Sequence, residues 1–217
     1  MPYRNLSAMS EETTRALENA RARASRAGAE ADNRKRDLLD TIARELPDRV
    51  EQLAKNTAHA QPDVIKALGK DGIKKLRDEL RDQATELATE IRGAADQITW
   101  PKPNMPAITN TLWMEPSISP VTSREIHSAL FKFLYGRRCN DLAAVFKRHG
   151  FDVRDDNRQR SQSLVLPQTC LYDEREQARE FEAVADALTA LATEEYAVAK
   201  AQAAHDRDVV DSLWEDD

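Results

Sequence analysis

The chain has 217 residues, 32% of them charged and 41% hydrophobic, with a net charge of -6. That length permits one large domain or two small ones with a buried core, while the acidic balance argues against a protein coated in nucleic acid along its whole length. Aromatics are 6% and glycines number six, a composition that favours narrow helices wetted on most sides over a sheet-rich fold.

The opening residues Met1 to Ser7 contain no apolar run of the secretory type, and nowhere do about 18 consecutive apolar residues occur, as a membrane span would require. The expectation is a cytoplasmic protein without a membrane partner. Cys139 and Cys170 stand alone, with no CxxC spacing, and in a chain without an export signal they read as reduced thiols.

Ser10-Glu-Glu opens the first predicted helix, with a capping hydroxyl and carboxylates where the helix dipole favours them. Leu17, Ala20, Ala24, Ala27 and Ala31 step by three and four, and Leu38, Leu39, Ile42 and Leu46 continue the stripe. Its Ala-rich half contributes little burial, because a methyl group is worth only ~0.8 kcal/mol against roughly 1.5–3 for a full Leu side chain. Pro47 is expected to end or kink this helix near Leu46. A short helix with Val50 and Leu53 inward follows, and Gly69 to Gly72 reads as a turn.

The strongest seam comes next. Ile73, Leu76, Leu80, Ala84, Leu87, Ile91 and Ile98 mark an amphipathic helix of about 28 residues. Such a stripe needs a long partner, in this chain or in a second copy, so Ile73, Leu76, Leu80, Leu87 and Ile91 are the candidate helix interface. Thr99 to Thr122 holds five of the nine prolines and reads as an extended strap. Within it, Trp100 and Trp113 either pack on the helices or serve as partner anchors.

From Ser123 the texture changes. A helix with Ile126, Leu130, Phe131 and Leu134 inward ends at Gly136, and a second runs from Asn140 to His149 with Leu142, Val145 and Phe146 inward. Phe151 to Arg154 and Ser163 to Leu166 then read as two short strands joined as a hairpin. Residues 123–160 carry nine basic against five acidic side chains, a local +4, leaving 23 against 33, or -10, elsewhere. This order is compatible with a winged-helix unit in which Arg137, Arg138, Lys147, Arg148, Arg158 and Arg160 face nucleic acid across residues 137–160. The plainer alternative is a small α+β knob whose charges are solvated.

The last predicted helix runs from about Asp173 to Trp214, with Phe181, Val184, Leu188, Leu191, Val198, Val209 and Leu213 on its apolar stripe and a frayed acidic tail. Its Ala-rich stretch from Ala197 to Ala204 resembles that of the first helix, so the two ends are expected to pair.

No phosphate cradle, nucleophile elbow or metal-ligand spacing occurs, and His59, His127, His149 and His205 fall in separate elements. No cofactor is implied. The fold class expected is mainly α, a long-helix bundle or coiled-coil-like assembly with a helix–helix–hairpin module inserted. Its regions are 1–99 (long helices), 100–120 (Pro/Trp linker), 121–172 (α+β module) and 173–217 (C-terminal helix). The function expected is a non-enzymatic helical interaction or assembly protein, self-associating or bound to a protein partner. The alternative is a nucleic-acid-binding regulator dimerised by its long helices.

Overall fold

The structure, a computed structural model, describes residues 6–105, 118–134, 137–154, 164–165 and 171–215, with side chains over 11–105, 118–134, 140–153 and 171–214. It is mainly helical. The described helices are α1 (Leu6–Ala60), α2 (Pro62–Arg92), α3 (Ser123–Leu134), α4 (Arg137–Arg148) and α5 (Ala178–Glu215). Two short strands, β1 (Val153–Arg154) and β2 (Leu164–Val165), complete the elements. None of the described helices is long and apolar enough to cross a membrane.

Two compact units emerge, one from residues 1–34, 101–122 and 182–217, the other from 35–100 and 123–181. In the second unit the core is thick. Leu38, Leu39, Ile42 and Leu46 of α1 are fully buried, as are Ile126, Leu130 and Leu134 of α3. From α4, Leu142, Val145 and Phe146 join them, and α4 packs on α2. The seam of α2 is buried too, with Leu76, Leu80, Leu87 and Ile91 at 4% exposure or less and Ile73 half-buried. The partner that the stripe requires therefore lies in the same chain, and its burial needs no second copy.

The first unit is thinner. Leu17, Ala20 and Ala31 of α1 and Val184, Leu188 and Ala192 of α5 are buried, and polar links tie the two Ala-rich stretches together. Arg21 Nη2 donates to Gln202 Oε1 at 2.8 Å, and Arg23 pairs with Glu194 at 2.9 Å. The Val121 N–H of the strap donates to Thr189 Oγ1 at 3.0 Å, and Asn104 and Ser119 form an antiparallel bridge. Exposed pairs of this kind contribute at most ~1 kcal/mol each.

Several expectations are corrected. The first helix begins at Leu6, before Ser10, and does not end near Leu46 but continues to Ala60 with Pro47 inside it. The buried stripe continues through Leu46, Val50 and Leu53 on both sides of the proline, and that packing outweighs the hydrogen bond the proline cannot donate. The turn expected at Gly69 to Gly72 is seen as a break at Gly69, where two helical stretches of α2 meet across a kink; its φ of 62° is readily adopted only by a residue without Cβ. At the other end α2 stops at Arg92, although Ile98 beyond it is still buried. α4 starts at Arg137, before Asn140.

The strand pair is also corrected. Val153 pairs with Leu164 and Arg154 with Val165 in parallel, so it is not the antiparallel hairpin expected. Apolar alternation specifies the faces of a strand but not its direction, and Asp155 to Gln162 contains no glycine to build a tight hairpin turn.

Candidate functional site

The end of α4 is set by local chemistry. Gly150 adopts φ 85°, its N–H donates to Lys147 O at 3.0 Å, and the Phe151 N–H donates to Phe146 O at 3.1 Å. These are the two reverse bonds of a Schellman cap, and the Phe146 and Phe151 rings meet edge to face with centroids 5.7 Å apart. Beyond the cap, the Gln61 side-chain amide grips the Asp152 backbone, donating to its carbonyl and accepting from its N–H, both at 3.0 Å. The start of α2 and the end of α4 are thus fastened together.

A charged clamp joins the same helices. Glu79 of α2 accepts a hydrogen bond from Arg148 Nη2 at 3.2 Å, and the same oxygen lies 3.3 Å from His149 Nε2. Burial acts to raise the Glu79 pKa, but hydrogen bonding and charge from His149, then from Arg148, outweigh it, so the carboxyl titrates below the ordinary carboxylate range. A depressed folded-state pKa contributes stability that is present above the ordinary value and lost as pH falls through the lowered one. Glu79→Gln should accordingly lower the urea midpoint at neutral pH, and the gap to wild type should narrow as pH falls below the ordinary carboxylate range.

This geometry bears on the predicted nucleic-acid path. Arg148 is exposed but engaged by Glu79, while Lys147 is exposed. The side chains of Arg137 and Arg138, together with Arg158 and Arg160, lie outside the described residues, as do Trp113, Cys170 and the Cys139 side chain. Trp100 is half-buried, and its indole N–H donates to Ala95 O at 2.8 Å, tying the strap's first residues to the segment that follows α2.

The histidines lie on different elements, and three have a carboxylate near: His127 by Glu174 at 3.7 Å, His149 by Glu79, and His205 by Asp206 at 3.6 Å. His127 also sits among the rings of Phe131, Tyr172 and Phe181. Among the described residues, no group of three or more His, Cys, Asp or Glu side chains is placed to hold a metal ion.

Two surfaces stand out that the residue pattern alone did not single out. The first is the end of α5. Val209 and Leu213, expected on an inward stripe, are 39% and 67% exposed, and Val210 and Trp214 beside them are 50% and 78% exposed. After Ala192 no described side chain of α5 is buried. α5 is helical to Glu215, and Asp216 and Asp217 lie outside the described residues. The spacing 209, 210, 213, 214 places these four side chains on one helix face, with Asp206 and Asp211 adjoining it.

The second is a groove of about 650 Å³ between α1 and α2. Val50, Ala54, Ile73 and Leu80 supply its apolar lining. Lys70, Lys74, Arg77 and Arg81 rise along one stripe of α2, about 100° around the helix from the buried seam. Arg77 pairs with Glu51 at 3.0 Å, whose carboxylate also takes Lys55 at 3.3 Å. Lys55, by hydrogen bond and then by charge, and Arg77 hold the Glu51 pKa below the ordinary range. Lys70, Lys74 and Arg81 make no ion pair among the described residues; Asp48 and Asp78 also border the groove. The stripe was visible in the chain as spacings of four, three and four, but its closeness to α1 was not.

No protein-family model, curated protein or solved structure matches the chain.

Proposed function

We propose that this chain is a non-enzymatic, intracellular interaction protein, a long-helix assembly that docks through the exposed apolar end of α5. The observation that carries this reading is the concentration of exposed apolar side chains at one place. Of the five large hydrophobic residues exposed among the described ones, four lie between Val209 and Trp214, and the fifth is Met105. Scattered exposed apolar residues are ordinary, but a contiguous cluster rimmed by charge marks a contact surface, and Trp is enriched at binding hot spots.

Magnitudes limit what this face does alone. Burying three or four such side chains contributes roughly 1.5–3 kcal/mol each, while association costs an estimated 4–15 kcal/mol. The apolar face needs further contacts, and the carboxylates beside it are the available ones. A photo-crosslinking residue at position 214 in cells should give a discrete adduct that Leu213→Asp abolishes. The same residue placed at Asp63, exposed on α2, is the control. Only diffuse background at 214, equal to that at 63, would refute the reading.

A further inference from the structure

We infer that the partner of the α5 end is a second copy of this chain, and that it seats in the groove between α1 and α2. This rests on the proposed docking role of α5 and names its occupant. The two surfaces are complementary in both of the properties that recognition uses. In sequence, residues 206–217 include six carboxylates against the single Arg207, and three of them, Asp206, Asp208 and Asp211, lie in the described part of α5 that carries Val209, Val210, Leu213 and Trp214. At the groove Val50 and Leu80 are buried beneath the surface, Ala54 and Ile73 are half-buried and give it its accessible apolar surface, and at the rim Lys70, Lys74 and Arg81 make no ion pair among the described residues.

Several cations elsewhere are committed. Arg23 pairs with Glu194, Arg34 with Glu30, Arg49 with Glu45 and Glu176, and Arg148 with Glu79. Lys147, Arg26, Arg44 and Lys200 also make no ion pair among the described residues, but at the groove three such cations stand together beside half-buried apolar side chains. The α1–α2 groove therefore combines unpaired cations with apolar lining, and its volume is in the range of clefts that bury ligands, roughly 300–1,000 Å³. An apolar anchor entering it would place the carboxylates of α5 beside the rim, where charge complementarity sets register and encounter rate. Asp48 and Asp78 at the same rim are the repulsive element, so affinity depends on Lys70, Lys74 and Arg81 outnumbering them.

Tail and groove are different surfaces, so the contact is heterologous. Each copy offers one tail and one groove, and association continues into rings or filaments unless the geometry closes. This gives a test that a symmetric dimer would fail. One variant of the full chain loses its tail (Leu213→Asp/Trp214→Ala) and another its groove cations (Lys74→Glu/Arg81→Glu). Both change exposed residues, and circular dichroism checks that each remains folded.

By sedimentation, wild type should grow in mass with concentration at low salt and shrink as salt rises, because exposed charges are screened within about 8 Å at physiological ionic strength. Each variant alone should be monomeric, with self-association weakened by about tenfold or more. Mixed together they should form a complex of one copy of each and nothing larger, since the pair retains one intact tail and one intact groove. A wild type that stays monomeric, or a mixture that does not combine, overturns the inference. If an adduct at position 214 then has the mass of a different protein and still requires Leu213, the docking role of α5 stands and only the identity of its occupant falls.

Discussion

Leu80→Glu/Leu87→Glu is expected to unfold the unit that contains α2 rather than to separate two copies of the chain. Both leucines are nearly inaccessible within a single chain, at 2% and 4% exposure. Each substitution forfeits roughly 1.5–3 kcal/mol of burial, and each carboxylate taken out of water adds a desolvation penalty of several kcal/mol. Two such sites together reach the 5–15 kcal/mol that typically separates folded from unfolded states. Far-UV circular dichroism should show a large loss of helix at neutral pH. A variant that kept wild-type helicity and merely became smaller would show that the seam is an interface between copies.

Pro47→Ala is expected to act in the opposite direction. A proline inside a helix costs about 3 kcal/mol relative to alanine, since it lacks the N–H that would donate four residues back and its ring crowds that carbonyl. Here that carbonyl belongs to Ala43, itself buried at 1% exposure between the stripe residues Ile42 and Leu46. Alanine restores the donor without emptying the core, because Pro47 is only half-buried. The gain is reduced by the roughly 0.4–1 kcal/mol by which proline restricts the unfolded chain. A net gain of about 2 kcal/mol corresponds to a rise in Tm of about 4–8 °C for a chain of this size. An unchanged or lower Tm would mean that the ring makes contacts that alanine does not replace.

These two outcomes share a cause. In α1 and α2 the free energy resides in the apolar stripe facing the core of the second unit, and local propensity is a smaller term. The same weighting explains the thin unit. There Ala20, Ala31, Ala185 and Ala192 stand where the other unit has Leu, Ile and Phe, so each buried position contributes less. At the end of α5, Val209, Val210, Leu213 and Trp214 stay exposed. A surface for a partner arises where the internal burial runs out.

The Glu79 clamp illustrates how a residue counted in a basic path can acquire a structural role. Arg148 belongs to the positive segment when the chain is read in order, and its charge there is real. Folding brings α2 against the end of α4 and places a carboxylate 3.2 Å from it. Nucleic-acid contact through Arg148 would have to compete with that pair. The described part of the 137–160 segment therefore offers Lys147 as its readily available cation.

What the sequence determined by itself was the helical class and the identity of the apolar faces. Steps of three and four through Leu38–Leu46 and Leu76–Ile91 define one side of a helix whatever surrounds it, and those residues are buried. The same holds for Ile126, Leu130 and Leu134. What only the tertiary structure decided was which of those faces receives a cover, because periodicity marks a face as apolar without stating whether anything packs on it. Leu80 and Leu213 obey the same pattern, yet one is 2% exposed and the other 67%. Tertiary contacts likewise decided that α1 passes through Pro47, that β1 and β2 run parallel, and that Glu79 pairs with a side chain 69 residues away. Each of these outcomes depends on an energy contributed by a distant segment, and local patterns of polarity carry no record of it.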